Sequence, residues 1–338
     1  MTDYLRPIPI SGPAAPPDAL PLAGGPLRFC HIEVLRRQGQ ADVHSASEFS
    51  SADLARLTQA RHPLGEVTFD TPRLMGILNT TPDSFSDGGS YVETGVAIQR
   101  AYAMLSEGAD ILDIGGESTR PGAVETPIDT EIARTHPVIA RLRMERFPLP
   151  ISLDTRKSAV ARGSGAHILN DVSGLRYDPA LADCAAADDL PLILMHSIGT
   201  PETMQHLAPD AYDDVVLDVY DALASAIAAA EARGVRRDRI VVDPGVGFGK
   251  TDMQTRALLA RISLFHGLGC SILLGVSRKG FIGRAAQVAD PARRGPGSAG
   301  IGLWALSQGI QILRVHDIAL HKQAIRLWRA SQGLGSES

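Results

Sequence analysis

Asp113, Asp154, Asn170 with Asp171, and Asp243 are carboxylates and an amide that stand at the ends of short apolar runs. Ser277, Arg278 and Lys279 follow another such run, and Arg314 and His316 follow a last one. Carboxylates and an amide that converge suit the edge of a flat heterocycle bearing both donors and acceptors. Lysine, arginine and histidine suit phosphate oxygens, arginine through its planar fork. Asn79 opens a loop of Thr, Ser, Asp and Gly, and with Asp87 it offers hard oxygen ligands for Mg²⁺ on a phosphorylated substrate.

The runs that must position these groups are residues 73–78, 110–112, 151–153, 167–169, 192–195, 239–242, 271–276 and 311–313, and His196 directly follows the fifth. Helical stretches separate them, at 95–107, 127–143, 157–163, 178–187, 213–233, 254–267, 297–307 and 317–332. Parallel strands that carry functional groups at their C-terminal ends describe an α/β protein of the (β/α)8 TIM-barrel class. A doubly wound open sheet does not place chemistry at all eight strand ends. We divide the chain into an N-terminal extension, 1–70, and the barrel, 71–338. Residues 1–25 are rich in proline and small residues and read as an extended arm or disordered tail. Residues 27–35 and 42–49 read as short strands that pair, and 52–60 as a turn or two of helix.

Single segments leave alternatives open. The stretch from Asn79 to Gly89 serves equally as a turn with Asx-type capping. Thr119 and Arg120 follow a Gly-Gly pair that lets backbone approach a ligand, though such a pair is often only a turn. Asp154, Asn170 and Asp171 are expected to point into the barrel mouth, but Asp154 is also placed to cap a helix beginning near Arg156. The stretch from Asp243 to Thr251 imitates a phosphate loop, yet Pro244 stands where the first glycine is required. Asp243 at the strand end is the better candidate, pairing with an amine and ring N–H of a 2-amino-4-oxo-pyrimidine. Arg314 and His316 alternate, so they share one face and read as a diphosphate clamp.

Bulk properties narrow the class. The chain has 338 residues, 44% hydrophobic and 21% charged, with net charge −5. Nothing in this balance suggests a nucleic-acid partner. No apolar run is long enough to cross a bilayer, and no secretory signal is evident, so a reducing cytoplasm is the expected compartment. The three cysteines are scattered, and the ten histidines form no HxxxH or HExxH pattern, which argues against a protein-held transition metal.

Taken together, the segments resemble the dihydropteroate synthase family, from about Thr71 to the last helix. The stretches from Asn79 to Gly89 and from Asp113 to Gly122 match its two signatures. The resemblance implies a TIM barrel, usually dimeric, that joins 6-hydroxymethyl-7,8-dihydropterin diphosphate to p-aminobenzoate and releases pyrophosphate with Mg²⁺. It implies that Asp113, Asp154, Asn170, Met195, Asp243 and Lys279 hold the pterin, while Asn79, Thr119, Arg314 and His316 bind the diphosphate. Asn79 and Asp87 fall on the metal. Phe85, Pro121, Phe248 and Ser277 form the p-aminobenzoate pocket, with Arg120 between the substrates. Asp154, Lys279, Arg314, His316 and Arg120 become the catalytic set. Diphosphate departure leaves a pterin-methylene cation that Asp154 stabilises and the aryl amine attacks, with the loops after the first two strands, expected to be mobile, closing against water. Ser197 and Ile198 depart from the usual pattern after Met195 and His196. A pterin-dependent methyltransferase and a non-catalytic pterin-binding paralogue are the competing readings, and pterin binding that depends on the diphosphate separates them.

Overall fold

The computed structural model describes residues 3–12, 15–81, 90–118, 120 and 122–334, with the side chains of 90–93 excepted. The chain begins with β1 (Tyr4–Pro7), β2 (Leu20–Pro21), β3 (Arg28–Phe29), β4 (His31–Leu35), β5 (Asp42–Ser45) and α1 (Ser51–Thr58). Residues 3–12 and 15–25, expected as part of an arm or tail, are instead built in. β1 pairs antiparallel with β4, β4 with β5, and β2 with β3. The prolines sit at edges, where no ladder N–H is needed. Leu22, Leu27, Phe29, Ile32, Val34, Leu54 and Leu57 form a small core of their own.

The barrel then follows as β6 (Arg73–Asn79), α2 (Ser90–Glu107), β7 (Ile111–Gly115), α3 (Ile128–Met144), β8 (Ile151–Asp154), α4 (Ser158–Ala161), β9 (Ile168–Asp171) and α5 (Leu181–Ala187). It continues with β10 (Leu192–Met195), α6 (Met204–Leu207), α7 (Val215–Ala232), β11 (Ile240–Asp243), α8 (Asp252–Ala260) and β12 (Ser271–Leu274). The last elements are α9 (Gly280–Ala285), α10 (Gly295–Ser307), β13 (Ile312–Val315) and α11 (Ile318–Ser331). β6 to β13 are parallel and close on themselves, β13 pairing with β6 through Ile312↔Arg73 to Val315↔Gly76. The expected TIM barrel is therefore borne out.

Strand ends shift by a residue or more from expectation. Asp113, Asp154, Asn170, Asp243 and Arg314 lie inside their strands, because a polar residue facing the barrel axis keeps its backbone ladder. The helix expected over 254–267 divides instead. Thr251 and Gln254 close a capping box on α8, and a 3-10 segment, Ile262–Leu268, ends at the left-handed Gly269.

Alternation along the strands builds the interior in layers. Met75, Ile111, Ile168, Ile193, Val241, Leu273 and Ile312 form one apolar layer, and Leu64, Val67 and Phe69 pack onto it. The segment leading into the barrel thus covers its floor. Two residues further along the same strands stand Asp113, Asn170, Met195, Asp243 and Arg314. The functional layer is the apolar layer continued by one pleat repeat.

Candidate active site

Arg314 organises the polar layer. Its Nε donates to Asp113 Oδ2 at 2.6 Å and its Nη2 to Asp154 Oδ2 at 2.6 Å. Among the described residues no hydrogen bond engages Nη1. Asn170 Nδ2 donates to Asp113 at 3.2 Å, completing a chain across β7, β8, β9 and β13. Asp113 is fully buried and Asp154 nearly so. Burial lifts the Asp154 carboxyl, Arg314 pulls it down, and Asp113, Glu131 and Glu117 push it up again, leaving it raised. The Arg314 guanidinium, flanked by these carboxylates, is held more firmly protonated than usual despite its burial.

The alternative role of Asp154 as a helix cap fails. α4 starts at Ser158, its N-cap Lys157 makes no side-chain cap bond, and the Ser158 N–H goes to Asp178 at 2.8 Å. Asp171 does not enter the mouth. One residue on from Asn170, it faces the other side of the strand and accepts from the Ser173 and Leu175 N–H groups at 2.7 and 2.6 Å.

On the far side of the layer Asp243 accepts from the Gly245 N–H at 2.8 Å, beside Met195 in register on β10. Burial raises the Asp243 carboxyl, with Lys279 opposing it. Lys279 donates to the Val246 carbonyl and stands over the Phe248 ring, 4.0 Å from its centroid. Burial drives the Lys279 ammonium down to about 7, Asp243 holding it up and Arg314 pushing it lower. Lys279 is therefore a lysine whose charge is in balance near neutrality.

Ser277 Oγ lies 3.0 Å from His316 Nδ1 and accepts from the His316 backbone N–H at 3.1 Å, so two residues expected in neighbouring subsites touch. Burial, with Arg314 and Arg278 behind it, brings His316 down to about 4. His316 is neutral at pH 7 and serves as a hydrogen-bonding group. Arg278, next to Lys279, turns away with φ +58 and pairs with Asp317. Asn79 ends β6 half-buried, and among the described residues no hydrogen bond holds its amide. Arg120 is exposed, its carbonyl accepting from the Ala123 N–H at 3.0 Å. Phe85, Asp87, Thr119 and Pro121 lie outside the described residues.

One buried cluster was not anticipated. Lys157 Nζ donates to Glu117 at 3.0 Å, Glu131 at 2.8 Å and the Thr126 carbonyl at 2.6 Å. Arg156 donates twice to Glu117, and the Thr126 N–H donates to Glu117 at 2.9 Å. Glu117 so ties both ends of the segment 118–125 to the end of β8. The only signal in sequence was the pair Arg156-Lys157 following a strand, which marks solvated surface as often as a buried ion pair.

A family model described as pterin binding enzyme matches residues 75–316. Over 263 residues the chain is 43% identical to dihydropteroate synthase of Escherichia coli K12, covering 77% of this chain and 92% of that one. Among solved structures it is similar to Xanthomonas albilineans dihydropteroate synthase with 4-aminobenzoic acid. The TM-score is 0.73 and the identity 43%, covering 78% of this chain and 94% of that one. The same enzyme in complex with 7,8-dihydropteroate aligns at TM-score 0.72 and 39% identity, covering 80% and 98%.

Proposed function

This chain belongs to the pterin-binding enzyme family, among its dihydropteroate synthases, and from that membership we propose how its residues divide the reaction. The reaction is transfer of the dihydropterin-methyl group from 6-hydroxymethyl-7,8-dihydropterin diphosphate to p-aminobenzoate, yielding 7,8-dihydropteroate and pyrophosphate in folate biosynthesis.

In our assignment Asp243 pairs with the amine and ring N–H of the pterin, Asn170 and Asp113 take its other edge groups, and Met195 lies against its plane. Lys279 donates to the pterin and faces the arylamine. Arg314 Nη1, His316, Asn79 and Thr119 receive the diphosphate. Phe248, Ser277, Phe85 and Pro121 enclose p-aminobenzoate, and Arg120 lies between the two substrates. The observation that carries this assignment is the single guanidinium of Arg314 shared by Asp113 and Asp154.

The chemistry follows from charge. The methylene C–O bond breaks with its electron pair leaving on the diphosphate, whose charge Arg314 offsets and His316 hydrogen-bonds. The methylene cation delocalises into the pterin ring. Asp154, raised by burial but drawn toward its ionised form by Arg314, stabilises that cation as a carboxylate in a site of low dielectric. The aryl nitrogen then forms the C–N bond and sheds a proton to water.

Mg²⁺ fits this site as a shared ligand rather than a protein cage. The amide oxygen of Asn79, which no hydrogen bond engages among the described residues, and, by resemblance, Asp87 supply few donors, and Mg²⁺ commonly takes the rest from phosphate and water. When bound, it neutralises charge on the leaving group. We also propose a cytoplasmic homodimer with no membrane or nucleic-acid partner. Among the described residues no helix is long and apolar enough to cross a membrane.

Pyrophosphate release with dihydropterin diphosphate, Mg²⁺ and p-aminobenzoate tests the assignment. Release should require p-aminobenzoate and collapse in Lys279→Ala and Arg314→Ala. Full release in either variant removes that residue from the site, and pterin binding without release in the wild type points to a non-catalytic paralogue.

A further inference from the structure

Two residues over the polar layer have no part in this assignment: His196, directly after β10, and Lys250, which ends the glycine-rich loop after β11. They meet. Lys250 Nζ lies 2.9 Å from His196 Nδ1 and donates to the carbonyls of Gly245 and Phe248, each at 3.0 Å. Lys250 is 3% exposed, and among the described residues no salt bridge reaches it. A buried lysine without a carboxylate is costly unless its bonds are complete. Here they close in either protonation state. An ammonium donates to Nδ1 and both carbonyls. A neutral amine donates to both carbonyls and accepts from an Nδ1–H.

The loop so braced has little freedom to sit elsewhere. Gly245 and Gly249 have φ +66 and +59, and a Cβ on them would lie 1.8 Å from the His196 carbonyl oxygen and 2.2 Å from Ile198 Cγ1. A Cβ on Gly247 would lie 3.0 Å from Lys279 Cδ. The backbone therefore presses on residues 196–198 from one side and on Lys279 from the other. The two residues it presents between these contacts are Val246, whose carbonyl accepts from Lys279, and Phe248, whose ring lies beneath the Lys279 ammonium.

We propose that Lys250, with His196, is a positioning residue that fixes the backbone carrying Phe248, so that the arylamine meets a preformed wall. The proposal rests on the assignment of Phe248 to the p-aminobenzoate pocket. Lys250 itself touches no substrate in this arrangement. Its loss is expected to act on arylamine binding rather than on diphosphate departure.

The test compares full-length Lys250→Met, Phe248→Ala and the double variant, measuring KM for p-aminobenzoate, kcat, and the Kd of the pterin diphosphate. Phe248→Ala should raise KM for p-aminobenzoate. Lys250→Met should raise it about tenfold, while kcat and the pterin Kd stay within about threefold. In the Phe248→Ala background the same substitution should add less than about twofold, since both act on one wall. An unchanged KM in Lys250→Met, or its full effect repeated in the double variant, overturns the proposal. An unchanged KM in Phe248→Ala overturns the pocket assignment and the proposal with it. Should Lys250→Met fail to fold, His196→Phe removes the Nδ1 contact and keeps a ring, and it should raise the same KM in the same direction. No change there is equally fatal.

Discussion

Arg314 Nη2 and Asp154 Oδ2 meet at 2.6 Å in the barrel mouth, while the same guanidinium holds Asp113 at 2.6 Å through Nε. One cation spans two carboxylates on neighbouring strands, its planar fork aiming a separate N–H at each. Arg314→Lys should therefore lose about 100-fold in kcat/KM although the charge is kept, because one ammonium nitrogen replaces the separate Nε and Nη2 donors and leaves no Nη1 for the diphosphate. Arg314→Met should in addition lower stability by about 3–5 kcal/mol, since it leaves two buried carboxylates unpaired. Urea unfolding and steady-state kinetics separate the two effects, and Arg314→Lys with wild-type kcat/KM contradicts the bridging role.

Lys279 predicts a pH limb. Its folded value of about 7 lies below the ordinary 10.5, so its charge is lost as pH rises through about 7 in the free enzyme. The kcat/KM for the pterin diphosphate should fall with that loss, and Lys279→Met should be lower throughout and flat across the same range. Stability moves the other way. A depressed pKa means that the unfolded chain binds the proton more readily between about 7 and 10.5. The wild type should gain stability relative to Lys279→Met as pH rises over that window. A profile level from pH 6 to 9 rules out a role for the Lys279 charge.

The ion cluster at the end of β8 distinguishes its two acids. Burial tends to raise the Glu117 carboxyl, but Arg156, the Thr126 N–H and Lys157 outweigh it and hold it below the usual range. Burial wins at Glu131, which is raised, and its Oε1 finds no partner among the described residues. Glu117→Gln should cost about 3 kcal/mol, since it leaves two buried cations short of their carboxylate. Glu131→Gln should cost less. Equal losses in chemical denaturation would show that Glu131 is as fully charged as Glu117.

Leu64 sits 2% exposed on the barrel floor beside Val67. Leu64→Ala should destabilise by about 2–5 kcal/mol through the cavity it leaves. The kcat of folded enzyme should be unchanged, because the apolar layer separates the floor from Asp113 and Arg314. A specific loss of kcat would mean that packing at the floor is transmitted to the mouth.

The barrel was legible because its signal is local. Each strand carries its own apolar run, and the period of two sets Asp113 after Ile111, Asn170 after Ile168, Asp243 after Val241 and Arg314 after Ile312 on one face. The same rule, applied one residue further, would have turned Asp171 outward. The N-terminal strands were harder to read, since a proline-rich stretch earns its place only through the partner strand that β4 supplies. The Glu117 cluster and the Lys250–His196 brace carry no decisive local signal, because nothing in a lysine's own neighbourhood says whether it meets solvent or a buried acceptor.

Pattern along the chain thus decides which side chains face the axis and at what height. It does not decide which of them touch. Arg314 stands 201 residues from Asp113 and 160 from Asp154, and their contact exists only because β13 closes back onto β6. Side-chain pairing across a barrel depends on closure and shear, properties of the whole sheet that no single segment encodes. For that reason a clamp expected to meet a diphosphate proved first to bind the carboxylates of its own site.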